Sequence, residues 1–313
     1  MSAQDNNDDD NDHDHGDDPP AARGASVAPA AAREAAAALD GAAALLITAG
    51  AGMGVDSGLP DFRGHEGFWN EGFWKAYPPF RQLGLSFVAL ANPRWFRDDP
   101  ELAWGFYGHR HNLYRATRPH QGFARLLRWG AAMAHGAFVF TSNVDGQFQR
   151  AGFDADRIVE CHGALEVWQC TRDCGAGIFP APAREVTVDP STLRAALPLP
   201  DCPTCGALAR PNVLMFGDGD WDSRRTDAQQ ARLARWLEGL RAQAARLVIV
   251  ECGAGTGVPT VRSFGESLAA RLPARLIRIN LREPEAPRGA ISIAAPASAA
   301  LDAIDGYRSA RSS

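Results

Sequence analysis

The chain is predicted to be an α/β protein: a Rossmann-like parallel sheet with a small cysteine-bearing module inserted into it and a helical insertion after its first strand. Three observations predict this. Short apolar runs of strand length at 43–48, 138–141, 158–161, 247–251 and 276–280 alternate with segments of helical character. The first and fourth of these runs open directly into glycine-rich turns, Gly50 to Gly58 and Cys252 to Gly257. Between the third and fourth runs lie two closely spaced cysteine pairs in a proline-rich stretch with little core of its own.

The elements follow in order. Residues 28–39 are alanine-rich and of high helical propensity. Residues 66–82, rich in aromatics, glycine and proline, read as a mobile loop with a short helix. Asp99-Pro100-Glu101 is a helix start: a capping carboxylate, proline in the first turn and an acid near the positive end of the dipole. That helix runs to about residue 115, and another covers 122–129. After the second and third strands comes the cysteine stretch, 164–210, and then a strand at 212–216. An amphipathic helix at 227–245, a strand, a helix at 262–271 and a final strand at 276–280 complete the sheet. The expected domains are an acidic disordered tail (1–24), a discontinuous large domain (25–162 and 211–308, with the helical insertion at about 65–117), a small module (163–210) and a tail (309–313).

Composition narrows the function classes. The net charge is −5, yet residues 1–22 hold eight aspartates and no lysine or arginine, which leaves the body near +3. So small an excess does not point to nucleic-acid binding. The acidic tail cannot bury a core; His13 and His15 within it could take up a stray divalent metal, but a solvated tail is the simpler reading. No apolar run reaches the roughly 18 residues needed to span a bilayer, and no export signal is evident, so a soluble cytoplasmic protein is expected. Lys75 is the only lysine, a skew that reflects genome composition more than function.

Cys170 and Cys174 are separated by three residues, Cys202 and Cys205 by two, both spacings that let thiolates converge on one tetrahedral zinc. The competing reading is two unrelated pairs of buried thiols. The 27 residues between the pairs are long for a plain zinc ribbon. Four thiolates leave no open coordination position, so the metal would stabilise without catalysing. Such spacing favours a reducing compartment.

The first glycine turn does not fit the dinucleotide fingerprint, because a third glycine would fall at Val55. Alone it reads equally as an ordinary tight turn; the second turn, with Gly253, raises the odds of a cofactor crevice. Pro60-Asp61-Phe62-Arg63 joins a rigid turn, a carboxylate, an aromatic and a guanidinium, a mix suited to a charged aromatic cofactor. Asn143 and Asp145 leave a strand end together, where α/β folds bind ligands, although a plain turn would also use them. His162-Gly163 directly follows a strand. A lone histidine is more often structural, but an imidazole there could act as a general base at physiological pH.

In order and spacing these residues resemble the sirtuins, over most of 35–305. Thr141-Ser142-Asn143-Val144-Asp145 resembles the family's Thr-Gln-Asn-Ile-Asp segment, and Ala151-Gly152 follows it as expected. His162-Gly163 matches the catalytic His-Gly, Cys170 follows at the family's distance, and Arg210-Pro211 to Phe216-Gly217 resembles the segment that pairs with the substrate peptide. Ile279-Asn280 resembles the adenosine-side segment. The resemblance implies an NAD-dependent protein lysine deacylase with a structural zinc, in which NAD is consumed. Gly50, Ala51, Gly52 and Gly253 would cradle the pyrophosphate side. Asp61, Phe62, Arg63, Ser142, Asn143 and Asp145 would line the nicotinamide and ribose pocket, and Asn280 would approach the adenine ribose. The acyl-lysine oxygen would attack the ribose as nicotinamide leaves, and His162 would then deprotonate a ribose hydroxyl, ending in acyl-ADP-ribose and free lysine.

Tyr107 and Arg110, at i and i+3 of one helix, resemble the Tyr-x-x-Arg pair of sirtuins that remove succinyl and malonyl groups. A guanidinium fork with a phenol can clamp an acyl carboxylate; a half-buried tyrosine beside a solvated arginine is the bland reading. Asp61 stands where those sirtuins often carry threonine. Gly54 replaces a serine, Ser142 a glutamine and Asp218 a glutamate of the family pattern. The alternatives are a protein mono-ADP-ribosyltransferase or NAD glycohydrolase, and a non-enzymatic zinc-stabilised NAD-binding module. The expected partners are acylated lysines of proteins, with no nucleic acid or membrane, and the expected state is a monomer.

Overall fold

The computed structural model describes residues 27–60 and 84–310. The acidic tail, the 66–82 loop, residues 311–313 and three of the predicted cofactor residues, Asp61, Phe62 and Arg63, lie outside the described residues. In chain order, α1 (Pro29–Asp40) leads to β1 (Ala44–Ala49) and the one-turn α2 (Gly52–Val55). Then come α3 (Phe87–Leu90), α4 (Trp95–Asp98), the long α5 (Pro100–Ala116) and α6 (Gln121–Ala131). β2 (Ala137–Thr141), α7 (Gln147–Arg150) and β3 (Ile158–Glu160) precede β4 (Gly163–Cys170), β5 (Ile178–Pro180) and β6 (Ala209–Val213). α8 (Arg224–Ala242), β7 (Leu247–Cys252), α9 (Thr260–Arg271), β8 (Ala274–Ile279), β9 (Ile291–Ile293) and α10 (Ala297–Ser309) close the chain.

Six strands form one parallel sheet in the order β3-β2-β1-β7-β8-β9. β1 and β7 are buried along their whole length, which is why they read as nearly continuous apolar runs. Their side chains alternate between two cores. Leu45, Ile47 and Val139 pack with α1, α6 and α10 on one face, while Leu46, Phe138 and Phe140 pack with α8 and α9 on the other. A charged cluster interrupts this apolar order: buried Arg278 of β8 donates from Nε to Glu251 of β7 at 2.5 Å and from Nη2 to Glu266 of α9 at 2.7 Å. No described helix is long and apolar enough to cross a membrane.

α5 begins as read from the sequence, with the Asp99 carboxylate accepting the Leu102 N–H at 3.2 Å and Pro100 in the first turn. Three expectations need correction. The strand expected at 212–216 is β6, which ends at Val213 and pairs antiparallel with β4 in a separate sheet, β5-β4-β6. Beyond Val213 the chain turns away: the Leu214 N–H bonds the His162 carbonyl and the Phe216 N–H bonds that of Ala91. The amphipathic helix starts three residues early, at Arg224, and stops at Ala242, before Ala244 takes a left-handed φ of 47°. Finally, β8 is not the last strand. β9 was hidden because it is three residues long and the solvent-facing Ser292 breaks its apolar run.

The small sheet and α5 share a third core that includes Trp104, Phe106, Tyr107, Leu165, Trp168 and Val213. Around the cysteines the core shrinks to Cys170, Cys202 and Ala207 with Ala176 and Phe179 against them.

Candidate active site

From β1 the chain goes to β2 on one side, while β7 lies against β1 on the other, so the connections diverge between β1 and β7. A cleft opens beyond the carboxyl ends of those strands, as expected at such a switch point. It encloses about 670 Å³ and is lined by six of the predicted residues: Gly50, Ala51, Gly52, Ser142, Gly253 and Asn280. The two glycine turns interlock. The Gly50 N–H donates to the Cys252 carbonyl and the Gly52 N–H to that of Gly253, both at 3.0 Å. A Cβ on Gly50 would lie 2.6 Å from the Gly253 oxygen. Gly253 itself has φ +62°, and a Cβ there would lie 2.4 Å from the Gly52 carbonyl carbon. Glycine is therefore required by turn-on-turn packing, and the result is a bare backbone floor suited to a pyrophosphate.

Asn280 closes the far wall. Its Nδ2 donates to the Ala254 carbonyl at 2.9 Å, and its Oδ1 accepts the Arg282 and Glu283 N–H groups at 3.0 Å each. The Glu283 carboxylate in turn accepts the Thr256 N–H at 2.9 Å and the Thr256 hydroxyl. Asp56, Thr256 and Glu283 line the cleft and were missed from the sequence, because their role is set by a contact between two distant loops and no local pattern marks it.

Asn143 ties β2 to the first glycine turn, donating from Nδ2 to the Gly50 carbonyl at 2.9 Å. Asp145 accepts the Gln147 N–H at 2.9 Å, and its Oδ2 lies 3.6 Å from where a Cβ on Gly54 would sit. Burial raises the Asp145 pKa to about 6, outweighing the Gln147 N–H and the Arg150 charge, which lower it. The raised value makes a stability prediction. An aspartate titrating near 3.8 when unfolded and about 6 when folded contributes stability below both values that is lost as pH rises through about 6. Asp145→Asn should thus be stabilised relative to the parent at pH 8 by roughly 1–3 kcal/mol, with the difference vanishing near pH 4. Thermal melts at the two pH values check this, and a stability difference independent of pH would contradict it.

His162 sits at the same edge of the sheet, just past β3, half-buried. Its backbone is pinned on both sides. Before it, buried Glu160 is paired with Arg225, and the Glu160 carbonyl accepts the Thr226 hydroxyl at 3.1 Å. After it, Gly163 has φ +75°, and a Cβ there would lie 2.0 Å from the Asn212 carbonyl oxygen.

Tyr107 and Arg110 lie on α5, Tyr107 within the third core. Both are buried, so the reading of a half-buried tyrosine with a solvated arginine does not hold. Arg110 donates from Nε and Nη2 to the Tyr114 hydroxyl at 3.1 and 3.0 Å. Its Cζ stands 5.3–5.7 Å from the ring centres of Phe87, Phe106, Tyr107 and Tyr114. The Tyr107 hydroxyl has no hydrogen-bond partner among the described residues, and burial pushes its pKa up to about 12. An orphaned buried phenol beside a buried guanidinium is a costly arrangement that an incoming anion would relieve. The Arg110 charge also reaches Asp145, whose pKa it lowers.

The four cysteines converge. Their sulfurs all lie within 4.8 Å of one another, with Cys170–Cys205 and Cys174–Cys202 at 3.6 Å. A disulfide needs about 2.05 Å, whereas thiolates about 2.3 Å from a tetrahedral zinc stand roughly 3.8 Å apart. The donor set and spacing fit zinc.

Comparison with known proteins agrees with this geometry. A family model described as "Sir2 family" matches residues 50–234. The NAD-dependent protein deacylase 1 of Archaeoglobus fulgidus is 34% identical over 177 residues, 56% of this chain and 60% of that protein. The mitochondrial NAD-dependent protein deacylase sirtuin-5 of Canis lupus familiaris is 32% identical over 189 residues, 56% of each chain. The match thus spans less than two thirds of the length of these relatives. Among solved structures, a mutant Sir2 homologue in complex with ADP-ribose superposes with a TM-score of 0.63 at 25% identity, covering 89% of this chain and 97% of that one.

Proposed function

Because the chain belongs to the Sir2 family, we propose that it is an NAD-dependent protein lysine deacylase that removes acidic acyl groups as well as acetyl. The observation that carries the acyl preference is the buried Tyr107–Arg110 pair: a phenol with no hydrogen-bond partner among the described residues stands beside a buried guanidinium, a donor set for a carboxylate.

NAD, when bound, supplies an electrophilic ribose carbon with nicotinamide as its leaving group. The chain's own residues do the rest. Gly50, Ala51, Gly52 and Gly253 give a floor that bears no side chain larger than a methyl group to bind the pyrophosphate. Asn280 braces the adenosine side, and Ser142 lines the same cleft. Asp61, Phe62 and Arg63, outside the described residues, are assigned to the nicotinamide and ribose pocket by resemblance alone. Asn143 holds the first turn in place. Asp145, charged above about pH 6, favours the cationic nicotinamide ring. His162 takes a proton from a ribose hydroxyl once nicotinamide has left. The zinc of Cys170, Cys174, Cys202 and Cys205 holds the small module together. The metal-type cysteines support a reducing compartment, and we place the protein in the cytoplasm.

The test is to incubate the chain with NAD and a panel of acetyl-, succinyl- and longer acyl-lysine peptides and to identify products by mass spectrometry. Acyl-ADP-ribose is the expected product. ADP-ribosylated protein or free ADP-ribose without deacylation would replace this reading with transferase or glycohydrolase activity. Arg110→Met should cut kcat/KM for the succinyl peptide by about 100-fold, from loss of a buried charge-assisted pair, and affect the acetyl peptide much less. Equal losses on the two would remove the carboxylate clamp.

A further inference from the structure

The two cysteine pairs are separated by 27 residues, far more than a metal knuckle needs, and the deacylase reading leaves that length unused. The stretch leaves Cys174, forms β5, crosses to α5 and returns to Cys202. There it folds on itself, with Val188 bridged to Ala195 and Leu193 held at a left-handed φ of 52°. A non-glycine residue in that region is strained, so the surroundings must fix it.

Its contacts run along one face of α5. The Ala195 N–H donates to the Glu101 carbonyl at 3.0 Å, and Arg194 bonds Asp99 at 2.5 Å and Glu101 at 3.2 Å. Asn112 grips the Val186 backbone twice, donating to its carbonyl at 2.8 Å and accepting its N–H at 3.0 Å. Further along, Arg115 donates to the Pro182 carbonyl at 2.7 Å. Between these bonds two glycines let the strands of backbone touch. A Cβ on Gly105 would lie 1.8 Å from the Leu193 carbonyl oxygen, and one on Gly108 would lie 2.5 Å from Val186 Cγ1. Residues 101, 105, 108, 112 and 115 fall on one stripe of a helix with 3.6 residues per turn. Tyr107, Arg110 and Tyr114 fall on the opposite stripe. The helix is thus backed by the strap on one side and presents the guanidinium on the other.

We propose that the 175–201 stretch is a strap that sets the depth and rotation of α5, so that Gly108, Asn112 and Val186 are positioning residues for the acyl carboxylate clamp. Both ends of the strap are fixed at the metal cysteines, so the small module and the acyl pocket are one mechanical unit. This inference rests on the reading of Tyr107 and Arg110 given above.

A methyl group at Gly108 would meet Val186 Cγ1 at 2.5 Å and Val186 Cβ at 2.8 Å, a clash that pushes α5 and the strap apart and shifts α5 toward the clamp side. Gly108→Ala should therefore raise KM for a succinyl-lysine peptide about tenfold, since sub-ångström displacement of a positioned group has effects of this order, while kcat/KM for the acetyl peptide stays within about twofold. Trimming the opposing side chain, in Gly108→Ala/Val186→Ala, should bring the succinyl KM back toward the parent value. Asn112→Ala, which removes both bonds and adds no bulk, gives a second route should Gly108→Ala fail to fold, and should also raise the succinyl KM selectively. Zinc content is measured in every variant and should equal the parent's. Parallel losses on both peptides, or unchanged KM values, would overturn the strap. Arg110→Met in the same panel separates the two failures: a selective loss there, with no selectivity change in the strap variants, sinks only the strap, whereas a non-selective loss there removes the clamp itself.

Discussion

His162→Ala should lower turnover of acetyl- and succinyl-lysine peptides alike by about a thousandfold, within the range that a positioned general base supplies. NAD binding should change by no more than about threefold, because the cleft floor is built from Gly50, Gly52 and Gly253 and contains no part of the imidazole. The backbone at this position is held by main-chain contacts that the substitution leaves in place: the His162 carbonyl still accepts the Leu214 N–H, and Gly163 still packs on Asn212. A loss of activity would then not be a loss of fold. The imidazole is assigned to the step after nicotinamide leaves, so exchange of free nicotinamide into NAD in the presence of acyl peptide should survive in the variant. Undiminished turnover would refute the assignment. Loss of exchange and turnover together would move the role of His162 to an earlier step.

How much of this could be read from residues alone depends on what kind of physics fixes each feature. The parallel sheet was legible because strands buried on both faces leave nearly continuous apolar runs, as in β1 and β7, each with a single polar residue, Thr48 and Glu251. The metal site was legible because ligand chemistry is local at each end: two cysteines within a few residues must point the same way to share an ion. The glycine turns were visible as composition, but the reason for them was not. Gly50 and Gly253 are required by each other's backbone, a contact between segments that only the β1–β7 pairing brings together. The same holds for Thr256 and Glu283. Arg110 shows the opposite case. Its helical spacing from Tyr107 was plain, while its burial among four aromatic rings depended on α3, α5 and their packing against the small sheet, which no period in the sequence records. Assigning 212–216 to the parallel sheet failed for a related reason: the apolar run Val213 to Phe216 does not say which sheet takes it or where the strand ends, and Leu214 and Phe216 are in fact exposed.

The small module should be the first part of the molecule to fail when its metal is withdrawn. Cys202→Ser replaces a thiolate by a hydroxyl that is a poor zinc ligand, in a site where the sulfurs of Cys170, Cys174 and Cys205 remain within reach of one another. Zinc content should fall from one per chain to well below that, and the module should lose on the order of 4 kcal/mol. The reason lies in the cores. Residues 164–208 contribute nothing to either core flanking the parallel sheet; Leu165, Trp168, Val186 and Leu193 pack with α5 in the third core, and around the cysteines only Ala207, Ala176 and Phe179 add apolar surface. At the cysteine end that is too little to offset the backbone entropy of its loops without the metal. Melting should therefore become biphasic: an early transition for the module and a later one for the sheet, close to the parent's. A single transition with unchanged metal content would contradict the four-cysteine site. Because the strap joins Cys174 and Cys202 to α5, the early transition should also abolish succinyl-peptide binding while NAD still binds to the glycine-lined cleft.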